Sequence, residues 1–269
     1  MQKCSLVAPV LLSIVLAAAL LPATAALAAS SLNFSWGPEC ASDALVINKD
    51  FTCLNNTGSD VMVASFVPTE NHQFLLAVDG VVDIQAATGL VIPDWWQFKN
   101  IGACRLTSLS AGQVPSATGL TILCADVWAG QATASVDYYG DPVWLGAIPV
   151  PIVAGNRARA KVGVSIPVAA ASAVDGGSEY FAFTLTMNHA KTVGTGLCAD
   201  CLIPMAAVFN SIMPGYQDGA DPDPIVFSSE TISTPLVKQC ITWQGGAVGL
   251  CEATPTLNKT WGQVKNLYR

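Results

Sequence analysis

Between Glu179 and Pro214 the chain reads as strand, loop, strand, and this pattern restricts it to a β architecture more firmly than any other stretch. Phe181, Phe183, Leu185 and Met187 alternate with Tyr180, Ala182, Thr184, Thr186 and Asn188, the period of two that turns one side of a strand into a core face. A glycine-rich loop, HAKTVGTGLCAD, follows and closes on Cys198 and Cys201. Met205 to Ile212 is then apolar on both faces, as befits a strand in the middle of a sandwich.

The rest of the chain repeats this texture. Val61 to Val67 is a doubly apolar strand stopped by Pro68. Phe74 to Val78 and Val81 to Ile84 flank Asp79-Gly80, which predicts a two-residue hairpin turn. Asn55-Asn56-Thr57-Gly58 and Asp175-Gly176-Gly177-Ser178 read as turns. Arg157 to Val168 places Arg157, Arg159, Lys161, Gly163 and Ser165 on one face and Ala158, Ala160, Val162, Val164 and Ile166 on the other, a half-buried antiparallel strand. Short strands follow at Ile225 to Thr231 and Gln239 to Trp243, and a short helical turn is predicted after Pro93. Many short strands with closely spaced turns predict an all-β fold, an antiparallel β-sandwich, with the jelly-roll first and the immunoglobulin-like form second. Over residues 256–269 the pattern changes: Thr260 and Gln263 have capping-box spacing, and Trp261, Val264 and Tyr268 share one helical face, which predicts a short C-terminal helix.

Residues 1–28 have the form of a signal peptide: Lys3, an apolar run from Ser5 to Leu21, and the small-residue site Ala26-Leu27-Ala28. The expected mature chain is exported, to the cell surface or beyond, and nothing after the leader is long and apolar enough to cross a bilayer as a helix. Residues 29–255 form the predicted sandwich, with a sub-boundary near 142–156 where Pro142, Pro149 and Pro151 punctuate the chain. Without the leader's single lysine, 11 basic residues face 19 acidic ones, a net charge of −8. That balance argues against nucleic acid or an anionic membrane as partner. Charged residues are 12% of the chain, against about 25% in an ordinary soluble domain. A polar but weakly charged surface suits self-assembly or contact with a cell-surface polysaccharide.

Eight cysteines follow the leader: Cys40, Cys53, Cys104, Cys124, Cys198, Cys201, Cys240 and Cys251. An even number in an exported chain predicts disulfides. Pairing nearest neighbours gives Cys40–Cys53, Cys104–Cys124, Cys198–Cys201 and Cys240–Cys251, each closing a short loop and contributing roughly 2–3 kcal/mol.

Residues able to carry chemistry are few. His72 and His189 are the only histidines, with neither a G-x-S-x-G elbow nor an H-E-x-x-H motif beside them, so both read as structural. Cys198-Ala199-Asp200-Cys201 has redox-motif spacing, but the residues after it read as strand, not as the helix that lowers such a thiol's pKa; a structural disulfide is the expectation. Asp218, Asp221 and Asp223 offer hard oxygens to a calcium ion, but without EF-hand spacing or a closing glutamate, so a solvated turn is the reading preferred over a metal site. Trp95 and Trp96, with Asp94, Gln97 and Asn100 nearby, have the composition of a sugar-stacking platform if the rings are exposed, and of core packing if they are not. The face bearing Arg157, Arg159 and Lys161 reads as a solvated or edge-guarding strand face before it reads as a site for an anionic polymer. No cofactor is implied. The reading that follows is an exported, non-catalytic β-sandwich with a structural, adhesive or assembly role; a carbohydrate-binding module is second and an extracellular hydrolase third.

PDWWQF followed by Cys104-Arg105, the turn Cys198-x-x-Cys201-x-x-Pro204, and the ending TWGQVKNLYR together resemble an uncharacterised family of secreted, β-rich bacterial proteins from environmental genomes. The resemblance spans most of the mature chain. It implies export and a disulfide-tied β fold, and brings no activity with it.

Overall fold

Alternating apolar positions become two layers of strands. The computed structural model describes residues 31–37, 40, 46–113, 124–140, 155–217, 225–226 and 239–246. The leader, most of the 142–156 sub-boundary, the aspartates of the 218–224 loop, Cys251 and the predicted C-terminal helix lie outside the described residues. The strands, in chain order, are β1 (Ser31–Trp36), β2 (Asn48–Lys49), β3 (Ser59–Val67), β4 (His72–Ala86), β5 (Leu109–Gly112), β6 (Thr133–Gly140), β7 (Arg157–Ser165), β8 (Ser172–Val174), β9 (Tyr180–Asn188), β10 (Met205–Tyr216), β11 (Ile225–Val226) and β12 (Cys240–Trp243). A single 3₁₀ turn, Asp94–Trp96, stands where the helical turn after Pro93 is predicted.

The smaller sheet has the order β1-β3-β9-β5 and the larger one β2-β12-β10-β4-β7-β6, with β11 on β10 and β8 on β4. The pairing is antiparallel throughout except for β12 with β2. This is the all-β sandwich the alternation predicts. The chain crosses from the small sheet to the large one twice through neighbouring strands, β3 to β4 and β9 to β10, while β3 lies beside β9 and β4 beside β10. These two interlocked crossings fix the layers face to face. Between them, Phe34 and Phe183 of the small sheet meet Phe209 of the large one at ring-centroid separations of 6.0 and 5.3 Å.

The hairpin predicted at Asp79-Gly80 is absent, because β4 runs unbroken through both residues. Gly80 serves a different need. It pairs with Val162 and Ile212 on the inward face, and the edge of the Phe183 ring fills the space its side chain would occupy. A Cβ on Gly80 would meet Phe183 Cε1 at 2.4 Å. Phe183 is fully buried against Phe209 and has no room to retreat. Gly80→Ala is therefore expected to lower stability by about 1–3 kcal/mol through overpacking. Denaturant unfolding measures this, and a variant as stable as the wild type would disprove the tight contact.

Elsewhere the predicted turns stand. Thr57 N donates to Asn55 Oδ1 at 3.0 Å, an Asx turn that leads through Gly58 into β3. In the turn before β9, Gly176 N donates to Asn71 Oδ1 at 2.7 Å. Along β7 buried and open residues alternate as the sequence pattern requires.

Candidate functional site

Three loops meet at one end of the sandwich: residues 50–58 before β3, 87–108 between β4 and β5, and 189–204 between β9 and β10. The registers place them there, since Ser59 pairs with Asn188, Leu109 with Met187, and Met205 with Ala86. The Trp pair, His189 and the Cys198/Cys201 turn all lie in this loop layer.

Disulfides tie the loops to one another. Cys53 is bonded to Cys201 and Cys104 to Cys198, while Cys40 is bonded to Cys124. The nearest-neighbour pairs Cys40–Cys53, Cys104–Cys124 and Cys198–Cys201 are thereby corrected. Cys240 is disulfide-bonded too, but its predicted partner Cys251 lies outside the described residues. Short sequence separation misleads here because the crossings β3 to β4 and β9 to β10 bring loops distant in sequence to the same end. The Cys198-x-x-Cys201 turn is thus no closed dithiol pair. It is an anchor whose two sulfurs reach different loops, with Asp200 at φ 70° helping the turn point them apart. Three such bridges place the folded chain in an oxidising compartment.

Hydrogen bonds double the staples. Asn56 Oδ1 accepts from Thr192 N at 2.7 Å and Val193 N at 2.9 Å, and its Nδ2 donates to Val193 O at 3.0 Å. His189 lies against the first loop, its Nδ1 2.8 Å from Thr57 O and its Nε2 2.8 Å from Asp60 Oδ2. The other oxygen of Asp60 takes Lys49 Nζ at 2.8 Å. The Phe51 ring stacks on the imidazole at 3.9 Å, and His189 is 7% exposed. Both ring nitrogens are occupied by oxygens of the scaffold and neither faces a hydroxyl, so the group acts as a latch between loops. His72, at the opposite end, stacks on Tyr216 at 3.8 Å.

The tryptophans face inward. Trp95 and Trp96 are 0% and 1% exposed, which removes the sugar-stacking platform as a property of this pair. The 3₁₀ turn explains the outcome: it aims both indoles at Trp243, stacked on Trp95 at 5.2 Å and edge-on to Trp96 at 5.7 Å, and leaves Asp94 outside. Asp94 Oδ1 accepts from Gln97 Nε2 at 2.7 Å, and Asn100 is exposed, its backbone N–H donating to Tyr138 O. The polar trio and the rings therefore look in opposite directions. Trp36, Trp128 and Trp243 are buried as well, and Trp144 and Trp261 lie outside the described residues.

Arg105 enters the sequence reading only as part of the resemblance carried by PDWWQF and Cys104-Arg105 and is given no task there, yet it is the centre of this layer. Its guanidinium lies over Trp95, 3.5 Å from the ring centroid and 5.1 Å from that of Phe98. Nη1 donates to Trp95 O at 2.6 Å and Nη2 donates to Asn188 O. The residue is 1% exposed, and burial lowers its pKa from 12.5 to about 9. No carboxylate among the described residues pairs with it. Its neighbour Cys104 was the available clue, because a bridge to Cys198 fixes the backbone beside a long cationic side chain. The phenol of Tyr138, packed edge-on to Phe98 at 5.3 Å, has its pKa raised well above the ordinary value by the same burial.

The remaining candidates are dispersed. Among the described residues no three His, Cys, Asp or Glu side chains group as a metal site, and Asp218, Asp221 and Asp223 lie outside them. On the outer face of the large sheet, Arg159 makes a two-pronged contact with Asp83 at 2.6 and 2.8 Å, and Asn210 Nδ2 donates to the same carboxylate at 2.8 Å. Lys161 stands in register with Asp137. Acids thus stand opposite two of the three positions of the predicted basic stripe, while Arg157 is in register with Gln85. No helix among the described residues is long and apolar enough to cross a membrane.

The fold and the loop layer together define a disulfide-tied antiparallel β-sandwich. In comparisons with known proteins, no family model and no curated protein matches the chain.

Proposed function

We propose that the protein is an exported, non-catalytic β-sandwich that works through its surface, in a structural, adhesive or assembly role at or outside the cell. One observation carries this reading. At the loop end, the side chains most capable of chemistry are spent on internal contacts: His189 on Thr57 and Asp60, Arg105 on Trp95 and Asn188, and Cys198 and Cys201 on their bridges. What remains for a partner is the shape and polarity of rigid loops. A carbohydrate-binding role would have to use a surface other than the Trp95-Trp96 pair.

The experiment combines two measurements on the exported chain. Tryptophan emission is expected to be blue-shifted and unmoved by soluble polysaccharides, because the five described indoles are buried. Light scattering over rising concentration, together with fractionation of secreting cells, is expected to find the protein assembled or retained at the cell surface. A strict monomer recovered wholly from the medium would overturn the adhesive and assembly reading.

A further inference from the structure

The same three loops carry an unusual share of open apolar surface. Among the described residues, six aliphatic side chains are more than half exposed: Leu54 at 76%, Leu90 at 83%, Val91 at 69%, Val168 at 56%, Leu197 at 52% and Leu202 at 63%. Five of them are in the loop layer, and only Val168, just beyond β7, is at the other end. Isolated exposed leucines are ordinary, but their concentration at one end of a sandwich is not.

Their placement has a common cause. Leu54 follows Cys53, Leu197 precedes Cys198, and Leu202 follows Cys201. Each leucine thus adjoins a cysteine of the Cys53–Cys201 or Cys104–Cys198 bridge. The bridge holds the backbone in place, so the neighbouring side chain cannot fold back over the core to escape water. Leu90 and Val91 are held in a comparable way, since the next residue, Ile92, is buried and its N–H donates to Gly155 O at 2.9 Å.

We infer that this loop end inserts into the surface of an electrically neutral, zwitterionic phospholipid bilayer. This deepens the adhesive reading above and rests on it. Three features select lipid over a protein partner. Four of the five side chains, at 63–83% exposed, stand proud of the surface, with Leu197 lower at 52%; residues lining a groove that receives a protein would be half-covered by its walls. The group consists of leucine and valine alone, the residues under-represented where protein interfaces concentrate their energy, without the Trp, Tyr or Arg that dominate there. Separate aliphatic side chains on rigid loops suit a fluid partner, which needs no matching shape and costs the loops little further ordering. Charge then selects the kind of lipid. The loops at this end carry Asp50, Asp94 and Asp200 against Lys99, Lys191 and the buried Arg105, and Lys191 Nζ already donates to Cys104 O at 2.6 Å. With no basic excess there and an acidic chain overall, attraction to anionic headgroups has no source.

The test is flotation of the exported chain with pure phosphatidylcholine vesicles at low and high salt. The wild type is expected to float with the vesicles at both. Leu54→Ser, Leu90→Ser and Leu202→Ser are each expected to weaken partitioning about tenfold or more, with an unchanged melting temperature because the sites are open. Val168→Ser, at the other end, should bind as the wild type does. Failure of the wild type to float, or floating equal to the wild type by the triple variant that combines Leu54→Ser, Leu90→Ser and Leu202→Ser, would overturn the inference. So would binding confined to anionic vesicles and lost in salt. If light scattering found a self-associated form that the triple variant dissolves, without vesicle binding, the patch would belong to a second copy of the chain. That result would refute the lipid inference and leave the assembly reading intact.

Discussion

Reduction of the folded chain is expected to abolish its cooperative thermal transition. The bridges close loops of 84, 148 and 94 residues, far longer than neighbouring cysteines would close. In the chain-entropy model a loop of that length restrains the unfolded state by about 4.5–5 kcal/mol, against about 2–3 for short loops. The three loops overlap in sequence, so their effects do not add. Even one such term is comparable with the whole net stability of a typical domain, about 5–15 kcal/mol. Two of the bridges, Cys53–Cys201 and Cys104–Cys198, also lie where regular hydrogen bonding is thinnest, in the loop layer that carries the Trp and Arg105 packing. Replacing Cys104 and Cys198 together by serine is expected to cost about 3–5 kcal/mol, more than a surface change and enough to bring the melting temperature down sharply. Thermal unfolding with and without reductant reads the first effect and denaturant titration the second. Peptide mapping without reduction should recover Cys53 joined to Cys201 and Cys104 joined to Cys198. A transition unmoved by reductant, or a peptide joining Cys198 to Cys201, would refute this arrangement.

The contrast between these bridges and the nearest-neighbour pairing shows where the sequence is informative. Strand identity is local: Phe181 to Met187 and Arg157 to Ser165 are both strands, and the second alternates as one buried face requires, although the first is buried on both faces, with Tyr180, Ala182 and Thr184 covered as well as the apolar side. Disulfide partners are not local, because they depend on which loops two crossings bring together. Asp79-Gly80 fails for a related reason. The dipeptide is a turn by composition, but a glycine under a ring from the opposite sheet has the same letters, and only the Phe183 contact tells the two apart. The tryptophans show a third limit. Composition gives aromatic rings beside polar groups, whereas one 3₁₀ turn decides that Trp95 and Trp96 point inward while Asp94 stays outside. Arg105 is the furthest from view. A single arginine in a sequence reads as surface, and its burial becomes intelligible only once an indole, two carbonyl oxygens and a disulfide are seen around it.

Truncating that arginine is expected to be the most damaging single substitution in the loop layer. Arg105→Ala removes a fully buried side chain that fills the space above Trp95, and large-to-small changes at such sites cost about 2–5 kcal/mol. It also strips the donors from Trp95 O and Asn188 O, two carbonyls in a part of the chain that water does not reach easily. Against these losses stands a gain: the buried cation has no carboxylate partner among the described residues, and its lowered pKa records the cost of desolvating it. The balance for the alanine variant is a net loss of about 3–5 kcal/mol, since the cavity and the abandoned carbonyls outweigh the relief. Arg105→Met separates these contributions. Methionine restores most of the volume, removes the charge and leaves the carbonyls without donors, so its expected cost is smaller, about 1–2 kcal/mol, in keeping with the mild effect of exchanging a buried charge for a packed apolar group. Arg105→Lys keeps the charge, but a single ammonium cannot reproduce a planar fork that covers an indole while reaching two carbonyls in different directions, so the lysine variant should lie nearer to alanine than to methionine. Denaturant unfolding of the three variants gives the order. If lysine were the mildest, charge over the indole would be the main contribution; an alanine variant within about 0.5 kcal/mol of the wild type, the range of ordinary surface changes, would mean that Arg105 is no keystone.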